Sequence, residues 1–113
     1  MVLISSIAAA LQLGSGMIQI GRAIGSAIKR EDPRLAFKLG RSVGYLTANA
    51  EEAERLLRRV KESGRESPIL IGEAESLLQK ILRSLNTLVR LLLRILFKPG
   101  VLERILGRLK RRA

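Results

Sequence analysis

Residues 68–98 read PILIGEAESLLQKILRSLNTLVRLLLRILFK, and this stretch decides the fold. Ser67 and Pro68 mark its start, and Lys98-Pro99-Gly100 marks its end. Between them, Leu or Ile recurs at three- and four-residue spacing. Such spacing, bounded by an N-cap residue with proline and by a glycine, predicts one uninterrupted α-helix. At 1.5 Å per residue the helix would be about 46 Å long, which favours an elongated molecule.

The cations of this segment fall on one side of the helix. At about 100° per residue they lie within about 80° of one another, with no acidic residue among them. We call these cations, together with Thr87 on the same side, the basic ribbon: Lys80, Arg83, Thr87, Arg90, Arg94 and Lys98. The apolar residues spread over about 200°, whereas a helix with one buried face typically shows an apolar stripe of about 100°. The excess predicts burial on a second side, by another subunit or by lipid.

N-cap, proline and glycine residues also divide the rest of the chain into helical segments. Asp32 precedes Pro33 and Ser67 precedes Pro68, which is the pattern of an N-cap followed by proline at the first helical position. With stops at Gly64 and Gly100, we expect helices over about 2–30, 33–63 and 68–98, and a short C-terminal helix from 101. The sequence therefore predicts one all-α domain over residues 1–113, an elongated hairpin or bundle that packs into an oligomer.

The second segment has the pattern of a helix with one buried face. Its apolar arc of about 100° is typical of an amphipathic helix and comprises Leu35, Leu39, Val43, Leu46, Ala50, Ala53, Leu57 and Val60. Outside the arc, Glu51 precedes Arg55 and Glu54 precedes Arg58 at the favourable i,i+4 spacing. An ion-paired, solvated surface explains these glutamates better than a metal or acid–base site does.

Residues 1–30 form an apolar packing helix, and the first charged side chain is Arg22. Four small residues fall within about 60° of one another and would let a second helix approach closely; this small-residue seam comprises Ala10, Gly14, Gly21 and Gly25. A polar stripe lies opposite, which argues against a lone lipid-immersed span. A signal peptide is disfavoured because no Lys or Arg precedes the apolar stretch.

Composition argues against an enzyme. The 113 residues include no Cys and no His, which excludes disulfides, thiol nucleophiles and cysteine zinc sites and removes the commonest general base. We expect no catalytic residue, metal or cofactor. The excess of Arg over Lys suits a thermophilic protein, and a GC-rich genome explains it equally well.

The net charge of +11 is concentrated at the C-terminal end of the chain. Residues 77–113, a basic amphipathic region, carry ten basic side chains and the single acid Glu103. Clustered cations repel one another and require a counter-charge. The candidate contacts to an anion are Lys80, Arg83, Arg90, Arg94, Lys98, Arg104, Arg108, Lys110, Arg111 and Arg112.

Double-stranded nucleic acid, anionic lipid, or acids on a neighbouring chain could supply that charge. The alternative interpretation is a solvated helix face that binds no partner. Because no aromatic side chain interleaves the basic ribbon, a platform that stacks single-stranded bases is disfavoured. A duplex bound through its backbone fits better.

In plan, the chain resembles the small α-helical coat proteins of filamentous and rod-shaped archaeal viruses. That resemblance implies a homo-oligomeric helical shell in the virion, with the small-residue seam in subunit packing and Lys80 through Arg112 on double-stranded DNA. The mixed-charge second helix would then be an outer surface or a subunit contact.

Two other readings stay open. A membrane-associated protein or pilin-like filament subunit would place its basic faces on anionic lipid. Four cations within the apolar run disfavour the third helix as a membrane span, but not an interfacial position. A designed helical bundle is the third reading.

Overall fold

Three long helices make up the fold. The structure is a computed structural model, and it describes residues 2–63 and 68–98 together with residues 100, 103, 106, 107 and 110. The helices are α1 (Val2–Ile28), α2 (Pro33–Ser63) and α3 (Pro68–Leu96). The predicted all-α class is confirmed, and the predicted helix ends agree within two residues. The predicted helix from 101 lies largely outside the described residues, and the oligomer stays a prediction.

The turn between α1 and α2 is built around Asp32. The backbone N–H groups of Glu31 and Asp32 donate to the carbonyl of Ile28 at 3.1 and 2.8 Å, which ends α1. Asp32 then caps α2, because its Oδ1 accepts the N–H of Leu35 at 3.1 Å. Pro33 occupies the first helical position, where its missing N–H leaves no intrahelical bond unmade. The Asp-Pro pair therefore starts α2 where the sequence predicts.

Each helix packs on the other two around one elongated core. Fully buried side chains come from all three helices, namely Ile7, Leu39, Leu46, Ile81, Leu88 and Ile95. The molecule measures 51 × 27 × 19 Å, so the elongated bundle is the form observed.

Side-chain contacts fix the directions of the helices. Along α2 and α3, Asn49 donates to Ser84 and Arg59 pairs with Glu73, so these two helices are antiparallel. Along α1 and α2, a Cβ on Gly14 would lie 3.7 Å from Leu46 and one on Gly25 would lie 3.7 Å from Leu39, so this pair is antiparallel as well. It follows that α1 runs parallel to α3.

The buried face of α2 matches the predicted arc in its first half and shifts in its second. Leu35, Leu39, Val43, Leu46 and Ala53 are buried as predicted. Further on, Leu56 is buried and Leu57 is half-buried, the reverse of the expectation. A helical wheel drawn at 100° per residue assumes one fixed buried stripe. The stripe that contacts neighbouring helices drifts around the axis by about 20° per heptad, so the buried residues change along a long helix.

Candidate nucleic-acid interface

The basic ribbon lies on the outside of α3. The buried residues of this helix are all apolar and share one face: Ala74, Leu77, Ile81, Leu85, Leu88, Leu92 and Ile95. Every member of the ribbon is exposed. Lys110 is exposed as well, whereas Arg104, Arg108, Arg111 and Arg112 lie outside the described residues.

Three cations of α2 lie beside the ribbon. Arg34, Lys38 and Arg41 are exposed, and the antiparallel register places them next to the C-terminal half of α3. The charge of Lys38 acts on the Asp32 carboxylate, which Lys98 of α3 also contacts. We call the ribbon together with Arg34, Lys38 and Arg41 the basic face.

The anion contacts expected from the sequence begin at Lys80 and do not include these α2 cations. A signal was available, because residues 33–50 contain three cations and no carboxylate. This charge pattern indicates a contribution to the basic face only once α2 is known to pack beside α3.

Asp32 neutralises one end of the basic face. Lys98 Nζ donates to Asp32 Oδ2 at 3.0 Å. This hydrogen bond, the N–H of Leu35 and the charges of Lys98 and Lys38 hold the pKa of the Asp32 carboxyl below its ordinary 3.8. Lys98 is therefore engaged within the chain, and its capacity for an external anion is reduced.

Within the described part of the chain, no carboxylate pairs with the middle of the basic face. Lys98 pairs with Asp32, and Arg59 pairs with Glu73 at 3.2 Å, but neither pair involves Arg83, Arg90 or Arg94. The ribbon's hydroxyl is also satisfied internally, since Thr87 donates to the carbonyl of Arg83 at 3.0 Å. The groups left for an outside anion are guanidinium and ammonium groups.

The opposite end of the α2–α3 face carries acids. Glu52, Arg55, Arg59 and Glu73 line a groove together with Lys80. Charges of both signs therefore compensate one another at this end. Considering only residues that the structure describes, the positive charge without an ion-pair partner runs from about Arg83 to Arg94, flanked by Lys38 and Arg41.

Two exposed aromatic side chains border the basic face: Tyr45 of α2, and Phe97, which lies about 20° from Arg90 around the axis of α3. The guanidinium of Arg41 lies 5.9 Å from the ring centre of Tyr45, whose side chain is exposed. A cation over an aromatic ring at this separation is weakly favourable. Two rings on different helices do not provide the series of stacking platforms that single-stranded binding uses.

The small-residue seam packs inside the bundle. Ala10, Gly14 and Gly21 are buried and Gly25 is half-buried. A Cβ on Gly21 would lie 2.6 Å from Val43 Cγ2 and 3.5 Å from Leu88 Cδ1, while one on Gly14 or Gly25 would lie 3.7 Å from a leucine of α2. The close approach that the seam permits is therefore made between α1 and α2 of the same chain.

A second set of small residues remains uncovered. A groove of about 880 Å³ runs between α1 and α2 and is lined by Ala36, Gly40, Gly44 and Ala48 along one wall. A Cβ on Gly40 or Gly44 would meet nothing within 4 Å. Phe37, also in this groove, is exposed.

The geometry of the basic face suits an extended polyanion. From Lys80 to Lys98 the ribbon spans about 27 Å at 1.5 Å per residue. A duplex presents about one phosphate charge per 1.7 Å of axis, so several phosphates fit along this length. Contacts of this kind hold a backbone and carry no sequence information.

Comparisons of the chain with protein-family models, with curated proteins and with solved structures gave no match. The function is therefore argued from the described geometry alone.

Proposed function

We propose that this is a structural protein that assembles with copies of itself into a helical shell around double-stranded DNA, as a viral coat protein does. The observation that carries the proposal is the basic face, a row of exposed cations from two helices whose central members have no partner among the described residues. The DNA backbone supplies the counter-charge.

Duplex DNA is favoured over single strands on two grounds. The row extends over about 27 Å along one helix, which fits an extended partner. Its donors are Lys and Arg without a series of aromatic rings, so binding is electrostatic, independent of sequence and strongly weakened by salt.

Contacts between subunits are assigned to the groove between α1 and α2. Glycine inside a helix costs about 1 kcal/mol relative to alanine. Gly40 and Gly44 have no positive φ, and a Cβ on either would meet no described atom within 4 Å. In this proposal, Gly40 and Gly44 leave space for a helix of a second copy. Assembly in a head-to-tail manner would then yield an open helical filament.

The proposal is tested by assembly with and without DNA. Purified protein is mixed with linear duplex in low salt, digested with nuclease and imaged by negative-stain electron microscopy. We expect filaments that contain protected duplex, because the DNA is enclosed by subunits. Particles that form normally but protect no DNA at any salt concentration would reject the DNA part of the proposal.

A matched pair of variants distinguishes loss of the basic face from loss of positive charge elsewhere on the protein. Arg83, Arg90 and Arg94 are changed together to Gln, and the control changes Arg55, Arg58 and Arg59 together to Gln. Both variants lose three charges. Only the first should lose protected duplex, since its arginines form the uncompensated part of the face.

A further inference from the structure

The α2 wall of the groove between α1 and α2 is symmetric about residue 42. In a contact between two copies related by a two-fold axis, a residue i meets a residue j of the other copy, and j meets i in return. An antiparallel contact between the two α2 helices, centred on residue 42, therefore brings together the residues that line this wall. The facing pairs are Pro33 with Glu51, Ala36 with Ala48, Phe37 with Thr47, and Gly40 with Gly44.

The middle of the groove has room for a second helix. A Cβ on Gly40 or Gly44 would meet no described atom within 4 Å, and the groove encloses about 880 Å³. Helices that meet through glycine and alanine bring their backbones close together. The contact centred on residue 42 places these small residues against one another.

Phe37 is the large side chain that would fill the groove of a second copy. It lies on the groove wall and is 71% exposed. In the antiparallel contact it lies opposite Thr47 of the second copy and inserts between that copy's Gly44 and Ala48. Together with Glu51, these residues have the spacing i, i+3, i+4 and i+7 of a hole that receives one side chain from a facing helix. Each copy thus supplies one ring and one hole.

Charge at the two ends of the groove sets the direction of the second copy. Lys29 of α1 lies at the end that begins with Pro33, and Glu51 lies at the other end. Both side chains are exposed, and the two ion pairs of the described residues involve neither. The antiparallel contact brings Lys29 of each copy near Glu51 of the other. A parallel two-fold contact would instead place each of these charges against its own copy, where like charges repel.

The other charges around the groove do not oppose this arrangement. Arg22 on the α1 wall and Arg41 of α2 lie level with its middle, on opposite sides of the α2–α2 contact, and both are exposed. Their long side chains can extend into water. Beyond the ends, residues 30–34 carry two basic and two acidic side chains, and residues 52–59 carry three basic and two acidic ones. Surfaces of mixed sign meet there.

A second copy suits this groove better than a lipid surface does. A bilayer is flat and cannot fill a concave space between two helices, whereas a helix can. Anionic headgroups would also repel Glu51, which lies within the groove. A second copy supplies Lys29 at that position.

We propose that two copies form an antiparallel dimer in which α2 of each lies in the α1–α2 groove of the other. Phe37 packs over Gly44 and Ala48 of the second copy, and Lys29 pairs with its Glu51. The inference rests on the proposed function, which assigns this groove to a second copy, and it adds the helix, the direction and the contacts. Because the contact closes on itself, the dimer is the unit that adds to the helical shell through other surfaces.

The dimer presents both basic faces on one side. Arg34, Lys38 and Arg41 lie about 80–140° around α2 from the midpoint between Gly40 and Gly44, all in the same sense. The two-fold axis runs perpendicular to α2, so rotation about it leaves this side in common. The two basic faces therefore lie next to each other, and one duplex would contact both.

Sedimentation velocity of the full chain without DNA measures the dimer. We expect a species of about 25 kDa, twice the 12.5 kDa of one chain. Gly40→Leu should weaken association by about tenfold or more, because its side chain fills the space that the second α2 needs. Gly72→Leu is the matched control, since a Cβ there also meets no described atom within 4 Å but the residue lies on α3, outside the groove. Circular dichroism confirms that both variants fold.

A charge exchange tests the direction without changing the packing. Lys29→Glu or Glu51→Lys alone places like charges at both ends of the antiparallel dimer, so each variant should associate about fivefold or more weakly than the wild type. An equimolar mixture of the two variants restores opposite charges at both ends and should associate as the wild type does. Because the two residues lie at opposite ends of the groove, a contact within one chain does not explain such a recovery.

Three outcomes would overturn the inference. A wild type that stays monomeric at every concentration would show that no dimer forms. Wild-type association of the folded Gly40→Leu variant would place the interface elsewhere, and wild-type association of both single charge variants would exclude the antiparallel direction. DNA protection by a protein that does not dimerise through this groove would reject this inference alone. Failure of DNA protection by a protein that dimerises as described would reject the proposed DNA contact alone.

Discussion

Lys98 Nζ donates a hydrogen bond to Asp32 Oδ2 at 3.0 Å across 66 residues of sequence. Asp32 also caps α2 through the N–H of Leu35. One carboxylate therefore starts the second helix and ties the end of the third helix to the turn between the first two. The same contact sets one boundary of the basic face.

The Asp32 charge should stabilise the fold only when the carboxyl is ionised. Its pKa is lower in the folded protein than in the unfolded chain, so the stability that it contributes is present above about pH 4 and is lost as the pH falls through the folded pKa. Asp32→Asn keeps an N-cap side chain and removes the charge. We expect a lower melting temperature than the wild type at pH 7 and a difference that shrinks below pH 3.

Thermal denaturation followed by circular dichroism between pH 2 and pH 7 measures this difference. Lys98→Gln should show the same trend, since it removes the partner from the other side. A constant difference between Asp32→Asn and the wild type across the whole range would contradict the assignment.

Gly21 and Gly25 should respond in opposite directions to alanine. A Cβ at Gly25 makes an ordinary 3.7 Å contact with Leu39, so Gly25→Ala should raise the free energy of unfolding by about 1 kcal/mol through helix propensity. A Cβ at Gly21 would lie 2.6 Å from the short, branched Val43, and the required shift should outweigh the gain in propensity. Urea denaturation of both variants tests the pair; equal stabilisation would mean that α1 and α2 are not packed as described.

Replacing Ser42 with alanine should stabilise the fold. Its side chain is buried at 6% exposure, and its Oγ has no hydrogen-bond partner in the described part of the chain. A buried hydroxyl left unpaired is destabilising. Ser42→Ala should raise the free energy of unfolding by about 1 kcal/mol, measured by urea denaturation. A loss of stability would show that the hydroxyl has a partner.

The α2 cations should add to DNA binding although they lie outside the basic ribbon. Lys38 and Arg41 flank the ribbon's uncompensated middle, so changing both to Gln should weaken duplex binding for every sequence alike. It should reduce the slope of log K against log salt by about 1 to 2. Fluorescence anisotropy with duplexes of two unrelated sequences provides the measurement. An unchanged slope would confine the contact to α3.

Local chemistry made the helix boundaries predictable. Asp32-Pro33 and Ser67-Pro68 carry their own start signals, and α2 and α3 begin where these signals predict. The exposure of the basic ribbon was also predictable, because its members share one side of a helix whose other side is apolar. These features depend on spacing along the chain.

Tertiary packing decided what the sequence left open. Leu82 and Leu88 are the same residue type on one helix, but Leu82 is 50% exposed and Leu88 is fully buried, because Leu88 lies on the buried face of α3 near Gly21 of α1. The juxtaposition of Lys38 with Lys98 depends on the register between α2 and α3. That register is set by contacts such as Asn49–Ser84, which spacing within one helix does not reveal.

The salt dependence of duplex binding tests the central claim most directly. Binding of the wild type, of the Arg83, Arg90 and Arg94 triple Gln variant, and of the Arg55, Arg58 and Arg59 triple Gln variant is measured from 50 to 200 mM salt. We expect the wild type and the second variant to share a steep negative slope of log K against log salt, and the first variant to lose about 3 units of it. Identical slopes for all three proteins, or no binding by the wild type at 50 mM salt, would contradict the account.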